Sequence, residues 1–191
     1  MKNGLFWMLF AFPAAALFAQ FPPPAEKPTA YLDVKLSAGE NKSSHSYHGD
    51  INKVGDSTRQ NVRSMAISIT AGTLMHSPLD ARIEWFFVAK DLAKKHDFIF
   101  DHGTKDVTFK GGLVEQFDAV SKDIESTVTN ETIYGMSELT PKLTGAKPDG
   151  WIVRITAGGA VLDMRASSSA LEDAANDPDQ LQKLQDVKGP K

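Results

Sequence analysis

Hydrophobic and polar residues alternate with a period of two along several stretches of this chain, which is the pattern of strands in a β-sheet. The alternation is strongest where Ile83, Trp85 and Phe87 share one face and Phe86 and Val88 make the opposite face apolar as well. A strand with bulky side chains on both faces belongs in the middle of a sheet that a second layer covers. We therefore predict a central strand here, with the rest of the fold built around it.

A helix is the competing prediction for this segment. Ser77 is a suitable N-cap, Pro78 suits a first helical turn, and Asp80 places an acid at the right end of a helix. Against this, the four bulky side chains at 85–88 favour strands and would lie all round a helical wheel. The strand is the favoured interpretation.

The same alternation predicts further strands on both sides of the central one. In chain order they cover residues 31–36, 62–70, 96–101, 107–109, 124–129, 151–156 and 160–165. Glycines predict tight turns at 102–105 and 157–159. Residues 37–56 are polar and contain several glycines, which predicts a long loop with at most a short edge strand, and residues 132–149 are predicted to be irregular. Many short strands without βαβ alternation predict a mainly β fold, an antiparallel β-sandwich.

Short helices are predicted only after the last strand. Ser169 with Glu172 three positions later forms a capping box, and Asp177 before Pro178 repeats the start signal for a second helix. Residues 188–191 are predicted to form a loose end.

The first residues have the pattern of a targeting segment. Lys2 precedes an uncharged, mainly apolar run to Ala19, which predicts a secretory signal peptide cleaved after Ala19. An uncleaved membrane anchor and a prepilin-type leader cut after Gly4 are the alternatives. The predicted organisation is a signal peptide at 1–19, a Pro-rich linker at 20–29, the sandwich at 30–168 and a short helical C-terminal tail at 169–191.

Composition excludes several kinds of protein. The formal net charge is −3 and acidic and basic residues are interspersed, so the chain lacks the clustered basic face that nucleic-acid binding requires. It contains no cysteine, which excludes thiol nucleophiles and Cys ligands to zinc or iron–sulfur clusters. No cofactor is expected.

Candidate chemistry is sparse. His45 and His48, with Asp50 as a less firm addition, offer imidazole and carboxylate ligands for a divalent metal. Because no third ligand is firm, a polar loop is the favoured interpretation. No G-x-S-x-G nucleophile elbow occurs. Trp85 and Trp151 lie at the centres of apolar strands and are predicted to be core residues rather than sugar-stacking platforms.

The best candidates for exposed contact residues are tyrosines in or beside the predicted loops: Tyr31, Tyr47 and Tyr134. Within the polar segment 37–56, we predict a contact loop that includes Tyr47, His48 and Asp50. No catalytic or metal-binding residue is predicted.

Three segments resemble a group of secreted proteins from Akkermansia-type verrucomicrobia. They are ARIEWFFVAKDLAKKHDFIFDHG, TIYG and PDGWIVRITAGGAVLDMRASSSALEDAANDP. The match is carried by Trp85, Gly150, Trp151, Gly159, Ala166, Ser167, Ser168 and Leu171. The resemblance implies an immunoglobulin-like sandwich and an exported module connected with pili or host contact. It brings no catalytic residue set, and the leader lacks the pilin pattern, so an accessory role fits better than a major shaft subunit.

The expected function is that of a non-enzymatic structural or adhesive module, exported to the periplasm, cell surface or medium, which acts by protein–protein contact through sheet edges or the polar loop. The expected partners are proteins, further copies of the chain, or a host-surface protein or glycan, with no nucleic acid and no membrane span after signal cleavage. The alternative is a carbohydrate-binding module, which requires exposed aromatic side chains. A hydrolase is a weaker third reading.

Overall fold

Strands from residue 30 onward, followed by two helices, account for most of the chain in the computed structural model, which describes residues 29–50, 54–133 and 141–190. Side chains at 47–50, 54–56 and 131–133 fall outside this description. The strands are β1 Ala30–Ser37, β2 Asn41–Asp50, β3 Val54–Arg63, β4 Ala66–Thr73, β5 Leu79–Asp91, β6 Asp97–Phe109, β7 Val114–Val120, β8 Ile124–Ile133, β9 Lys142–Ala157 and β10 Ala160–Ala166. The helices are α1 Ser169–Asn176 and α2 Pro178–Asp186.

The strands form two antiparallel sheets. The smaller has the order β1-β4-β7, and the larger has the order β2-β3-β8-β9-β5-β6, with β10 also paired to β9. Strand β9 joins two parts of the larger sheet, because its first residues pair with β8 and the rest pair with β5 and β10. We call β6, β5, β9 and β10 the body sheet and β2, β3 and β8 the arm.

The main core lies between the smaller sheet and the body sheet, which confirms the antiparallel β-sandwich. Buried side chains from both sheets form it: Leu32, Ile67, Ile69, Ala71, Ile83, Phe87, Val107, Phe109, Ala119, Trp151, Val153 and Ile155, with others at its edge. Full burial of an Ile or Phe side chain contributes about 1.5–3 kcal/mol each, so this layer dominates the stability. The immunoglobulin-like strand arrangement stays a prediction.

Strand β5 is the predicted central strand, and it has apolar contacts on both faces. It lies between β6 and β9. Ile83 and Phe87 enter the main core, whereas Phe86 and Val88 enter a second cluster on the opposite face. The competing helix from Ser77 is therefore wrong.

The two helices form a third layer against the body sheet. Leu171, Ala175 and Leu181 pack against β5, β9 and β10 from the face opposite the small sheet. The first helix is capped by Ser168 rather than by Ser169, as its hydroxyl accepts a hydrogen bond from the Leu171 amide. The predicted cap at Asp177 is confirmed.

One predicted turn is wrong, because residues 102–105 lie inside the 13-residue strand β6. Gly103 pairs directly with Trp85 of β5. A Cβ added to Gly103 would lie 2.3 Å from indole atom Cζ2 of Trp85. Gly103 therefore does not mark a turn. Its lack of a side chain leaves room for the indole of Trp85 to lie across the sheet.

Other boundaries also differ. The segment 37–56, predicted as a loop, contains all of β2 and the start of β3. The predicted strand 62–70 is interrupted, since β3 ends at Arg63 and β4 begins at Ala66. Strand β7 has no predicted counterpart, and β9 begins inside the segment 132–149 that was expected to be irregular.

The predicted hairpin turn at Gly158-Gly159 is confirmed, with φ of 57° and 82°. Gly189, in the predicted loose end, lies against the Phe98 ring. The predicted signal peptide, the linker up to residue 28, and Tyr134 lie outside the described residues.

Candidate interaction surface

The predicted contact residues Tyr47, His48 and Asp50 lie on strand β2, not in a loop. Their side chains are outside the described part of the chain. The sequence pattern failed here because the described side chains of β2 are all exposed, so burial imposes no alternation between apolar and polar residues. A physical signal was still present: Tyr47 before Gly49, and Val54, Thr58 and Val62 after it, favour strands and suit a hairpin.

The described side chains of the arm are mostly polar. Strand β2 pairs with β3 and β3 with β8 in unbroken register. All six residues of β2 whose side chains are described are exposed, and they are Asn41, Lys42, Ser43, Ser44, His45 and Ser46. Within the described residues, β2 is the last strand of the larger sheet on this side. One edge of β2 therefore has no partner strand among residues 29–50, 54–133 and 141–190.

The hydrogen bonds of the hairpin show which backbone groups face this open edge. The Ser64 amide donates to the Glu40 carbonyl at 2.9 Å, and this pair continues the β2–β3 register. In an antiparallel ladder, hydrogen-bonded pairs occur at every second position. Lys42 and Ser44 therefore bond to β3, whereas the amides and carbonyls of odd-numbered residues such as Ser43 point away from it.

Charged side chains lie at two of the other sheet edges. At β1, the Leu32 amide donates to Oδ2 of Asp163 at 2.8 Å, and Nε of Arg165 donates to the Leu32 carbonyl at 3.4 Å. At β6, the carboxylate of Asp101 accepts a hydrogen bond from the Lys122 amide at 2.8 Å. The same carboxylate forms an ion pair with Lys122 Nζ at 3.2 Å. Such inward-turned charges are a common way to block edge pairing.

The β2 edge has little net charge. Lys42 Nζ lies 2.5 Å from Oε2 of Glu40. The hydrogen bond from Lys42 lowers the pKa of Glu40, and the same bond raises the pKa of Lys42. Arg63 Nε donates to Oδ1 of Asn41 at 3.4 Å. The described part of this edge therefore presents paired charges and small polar side chains.

A second polar surface lies on the body sheet beside the helices. It borders an open depression of about 540 Å³ that is lined partly by Arg82, Asp106 and Thr156. Arg82 Nε lies 2.7 Å from Asp106 Oδ1, and Arg154 Nε lies 2.6 Å from Glu84 Oε2. The hydrogen bond from Arg82 lowers the pKa of Asp106. These charged groups are already paired within the sheet. They are therefore less available to bind a ligand than the outward-facing backbone groups of β2.

The aromatic side chains do not form an exposed platform. Trp151 is 8% exposed and lies in the main core. Trp85 is partly buried, and its ring packs 5.4 Å from that of Phe117. Among the Phe, Trp and Tyr side chains that the structure describes, none is exposed, and Tyr31 lies across Gly72.

The described histidines do not cluster with one another or with several acidic residues. His45, His76 and His102 are exposed, and His96 is half-buried. In residues 29–50, 54–133 and 141–190, outside the side chains left undescribed, no three His, Cys, Asp or Glu residues come together in a group that could hold a metal ion.

Neither helix in the described part of the chain has the length and apolar character that a membrane crossing requires.

Comparison with known proteins identifies no family for the chain. No family model matches the sequence, and no curated protein matches it. Among solved structures, a Bacteroides fragilis protein assigned as a β-galactosidase is 8% identical over 65% of this chain and 15% of its own, with a TM-score of 0.31. A calcium-binding mutant of β-glucuronidase 2 from Bacteroides uniformis is 6% identical over 63% of this chain and 13% of its own, with a TM-score of 0.25.

A third similar structure is a protein from Akkermansia muciniphila, 11% identical over 73% of this chain and 71% of its own, with a TM-score of 0.23. The chain spans only 15% and 13% of the two Bacteroides proteins. At these TM-scores, the likenesses carry no argument about fold or function. Membership of the Akkermansia-type group stays an expectation from the sequence resemblance.

Proposed function

We propose that this protein is an exported, non-enzymatic structural or adhesive module that acts by protein–protein contact through its arm. One observation carries the proposal: the three strands of the arm continue the larger sheet beyond β9 and leave the β2 edge open within the described residues. An open strand edge is a template for pairing with another chain, and proteins that have no use for one usually block it.

The export part of the proposal rests on the sequence. The apolar run to Ala19 is the pattern of a signal peptide. The resemblance to secreted proteins of the Akkermansia-type group agrees with export and suggests an accessory role in pilus-like surface assembly or host contact. The absence of cysteine from the sequence means that such a module would depend on its core, not on disulfides, for stability outside the cell.

The alternative is a carbohydrate-binding module. Such a module stacks sugar rings on exposed aromatic side chains, and Trp85, Trp151 and the other described aromatic residues are buried or half-buried. We therefore favour protein contact.

The test is photo-crosslinking in the exporting cell. A benzoylphenylalanine placed at Ser44 of the arm is compared with one at Thr104, an exposed residue of the body sheet. We expect a crosslinked protein product at Ser44 and none at Thr104. No product at Ser44, together with binding of the purified protein to a glycan array, would contradict the proposal and support the carbohydrate-binding alternative.

A further inference from the structure

We infer that the open edge of β2 pairs with the same edge of a second copy, antiparallel across a twofold axis near residues 44–46, so that two arms form one continuous sheet. The inference deepens the proposed function by naming the partner of the arm. It rests on the backbone pattern of β2, on its side chains and on symmetry, in turn.

Within the described part of the chain, the backbone of β2 has unpaired groups along its whole outer edge. Its ladder with β3 has no register shift over the ten residues, so every odd-numbered residue presents an amide and a carbonyl to the outside. When two such strands pair in antiparallel orientation, each odd-numbered residue of one strand lies opposite an odd-numbered residue of the other strand. Each amide then finds a carbonyl.

The described side chains do not oppose this approach. The residues at the outward positions, Asn41, Ser43 and His45, include no proline and no Lys, Arg, Asp or Glu. The one charged residue of β2 in this part, Lys42, is neutralised by Glu40. Two identical edges can therefore approach without strong repulsion, unlike the edges at which Asp163 or Asp101 is turned inward.

Symmetry favours a second copy over an unrelated strand. An edge that pairs with its own copy around a twofold axis uses up both open edges, and the assembly closes as a dimer. The contact is narrow and polar, and interfaces of this kind are weak. We therefore expect a reversible dimer that depends on concentration.

The sequence offers a clean test, since the chain contains no cysteine. Single cysteines are introduced by Ser44→Cys, His45→Cys and Ser46→Cys in the exported protein, with Ser169→Cys on α1 as an exposed control. Under mild oxidation, residues at a twofold axis link to their own copies because their Cα atoms come within disulfide range. We expect at least one arm variant to form disulfide-linked dimer at least ~10-fold faster than the control.

A proline pair tests the backbone directly. Ser43→Pro removes an outward amide and leaves the β2–β3 bonds in place, whereas Ser43→Ala keeps the amide. Ser43→Pro should reduce the cysteine crosslinking rate by ~10-fold, and Ser43→Ala should leave it unchanged. The unfolding midpoint of both variants checks that the hairpin is intact.

Two results would overturn the inference: arm cysteines that link no faster than Ser169→Cys, or a folded Ser43→Pro protein that dimerises as well as the wild type. The cysteine comparison does not depend on whether the proline variant folds. If photo-crosslinking at Ser44 captures a different protein while the arm cysteines do not link, the proposed function survives and the homodimer does not.

Discussion

At the scale of single residues, the contact between Trp85 and Gly103 shows how one missing side chain shapes the sheet. Pattern reasoning assigned Gly103 to a turn, because glycine commonly marks one. The indole of Trp85 occupies the space where a Cβ would be. Nothing in a single sequence tells a glycine in a turn from a glycine beneath an aromatic ring, because the partner belongs to another strand.

The substitution Gly103→Ala should therefore overpack this site. With the added Cβ only 2.3 Å from Trp85 Cζ2, the indole has to move, and overpacking of this kind costs about 1–3 kcal/mol in the free energy of unfolding. Urea denaturation measures the loss. In a Trp85→Leu background the same change should cost clearly less, and an equal loss in both backgrounds would contradict the contact.

Asp91 provides a pH-dependent prediction. Its buried carboxylate accepts hydrogen bonds from the amides of Ala93 and Lys94 at 2.8 and 2.9 Å. The bond from Lys94 is the main cause that lowers the pKa of Asp91. The pKa of Asp91 is therefore lower in the folded protein than in the unfolded chain. The ionised carboxylate stabilises the fold at pH values above the unfolded pKa of about 3.9, and this stabilisation is lost as the pH falls through the folded pKa.

The stability difference between the wild type and Asp91→Asn should consequently be constant near pH 7 and shrink below about pH 4. Urea denaturation at pH 7 and pH 3 measures it. Asp173→Asn, at an exposed carboxyl of α1, serves as the control. A difference for Asp91→Asn that is the same at both pH values would show that the carboxylate charge has no such role.

At the scale of elements, the C-terminal helices pack on the body sheet as a third layer. Leu171 is 6% exposed. A Cβ added to Gly150 would lie only 2.6 Å from the Cδ1 atom of Leu171. The helix thus packs directly on the backbone of β9. Leu171→Ala should lower the free energy of unfolding by about 2–5 kcal/mol through the cavity it leaves.

The matched control is Glu172→Ala, which changes the adjacent exposed residue of the same helix. It should change stability by less than about 0.5 kcal/mol. Thermal unfolding of the two variants tests the layer, and equal small effects would mean that the helices contribute little to the core.

Elements could be predicted from the sequence where they cover a core. Strand β5 and the β9–β10 hairpin were found because Ile83, Phe87 and Val153 must alternate to reach the layer beneath. Strand β2 lies in a segment predicted as a loop with at most a short edge strand, because its described side chains are all exposed and burial imposes no alternation. The predicted contact residues stay a prediction, and the strand edge on which they lie depends on long-range pairing that no local pattern contains.

At the scale of the whole molecule, the larger sheet has two parts, the body sheet and the arm, which differ in how they are packed. The body sheet is covered by the small sheet on one face and by the helices on the other. The arm continues the same sheet through β9 without a comparable core, and it ends at an open edge. Stability therefore depends mainly on the body, and substitutions on the outward side of β2 should alter association without unfolding the protein.

The most direct test of association through β2 is the light-scattering mass of the purified protein over a range of concentrations, for the wild type and for Ser43→Pro. We predict that the wild-type mass rises from monomer toward dimer, and that Ser43→Pro stays closer to monomer at each concentration while keeping the same unfolding midpoint. A wild-type protein that remains monomeric at every concentration, or a folded Ser43→Pro variant that dimerises equally well, would contradict association through the edge of β2.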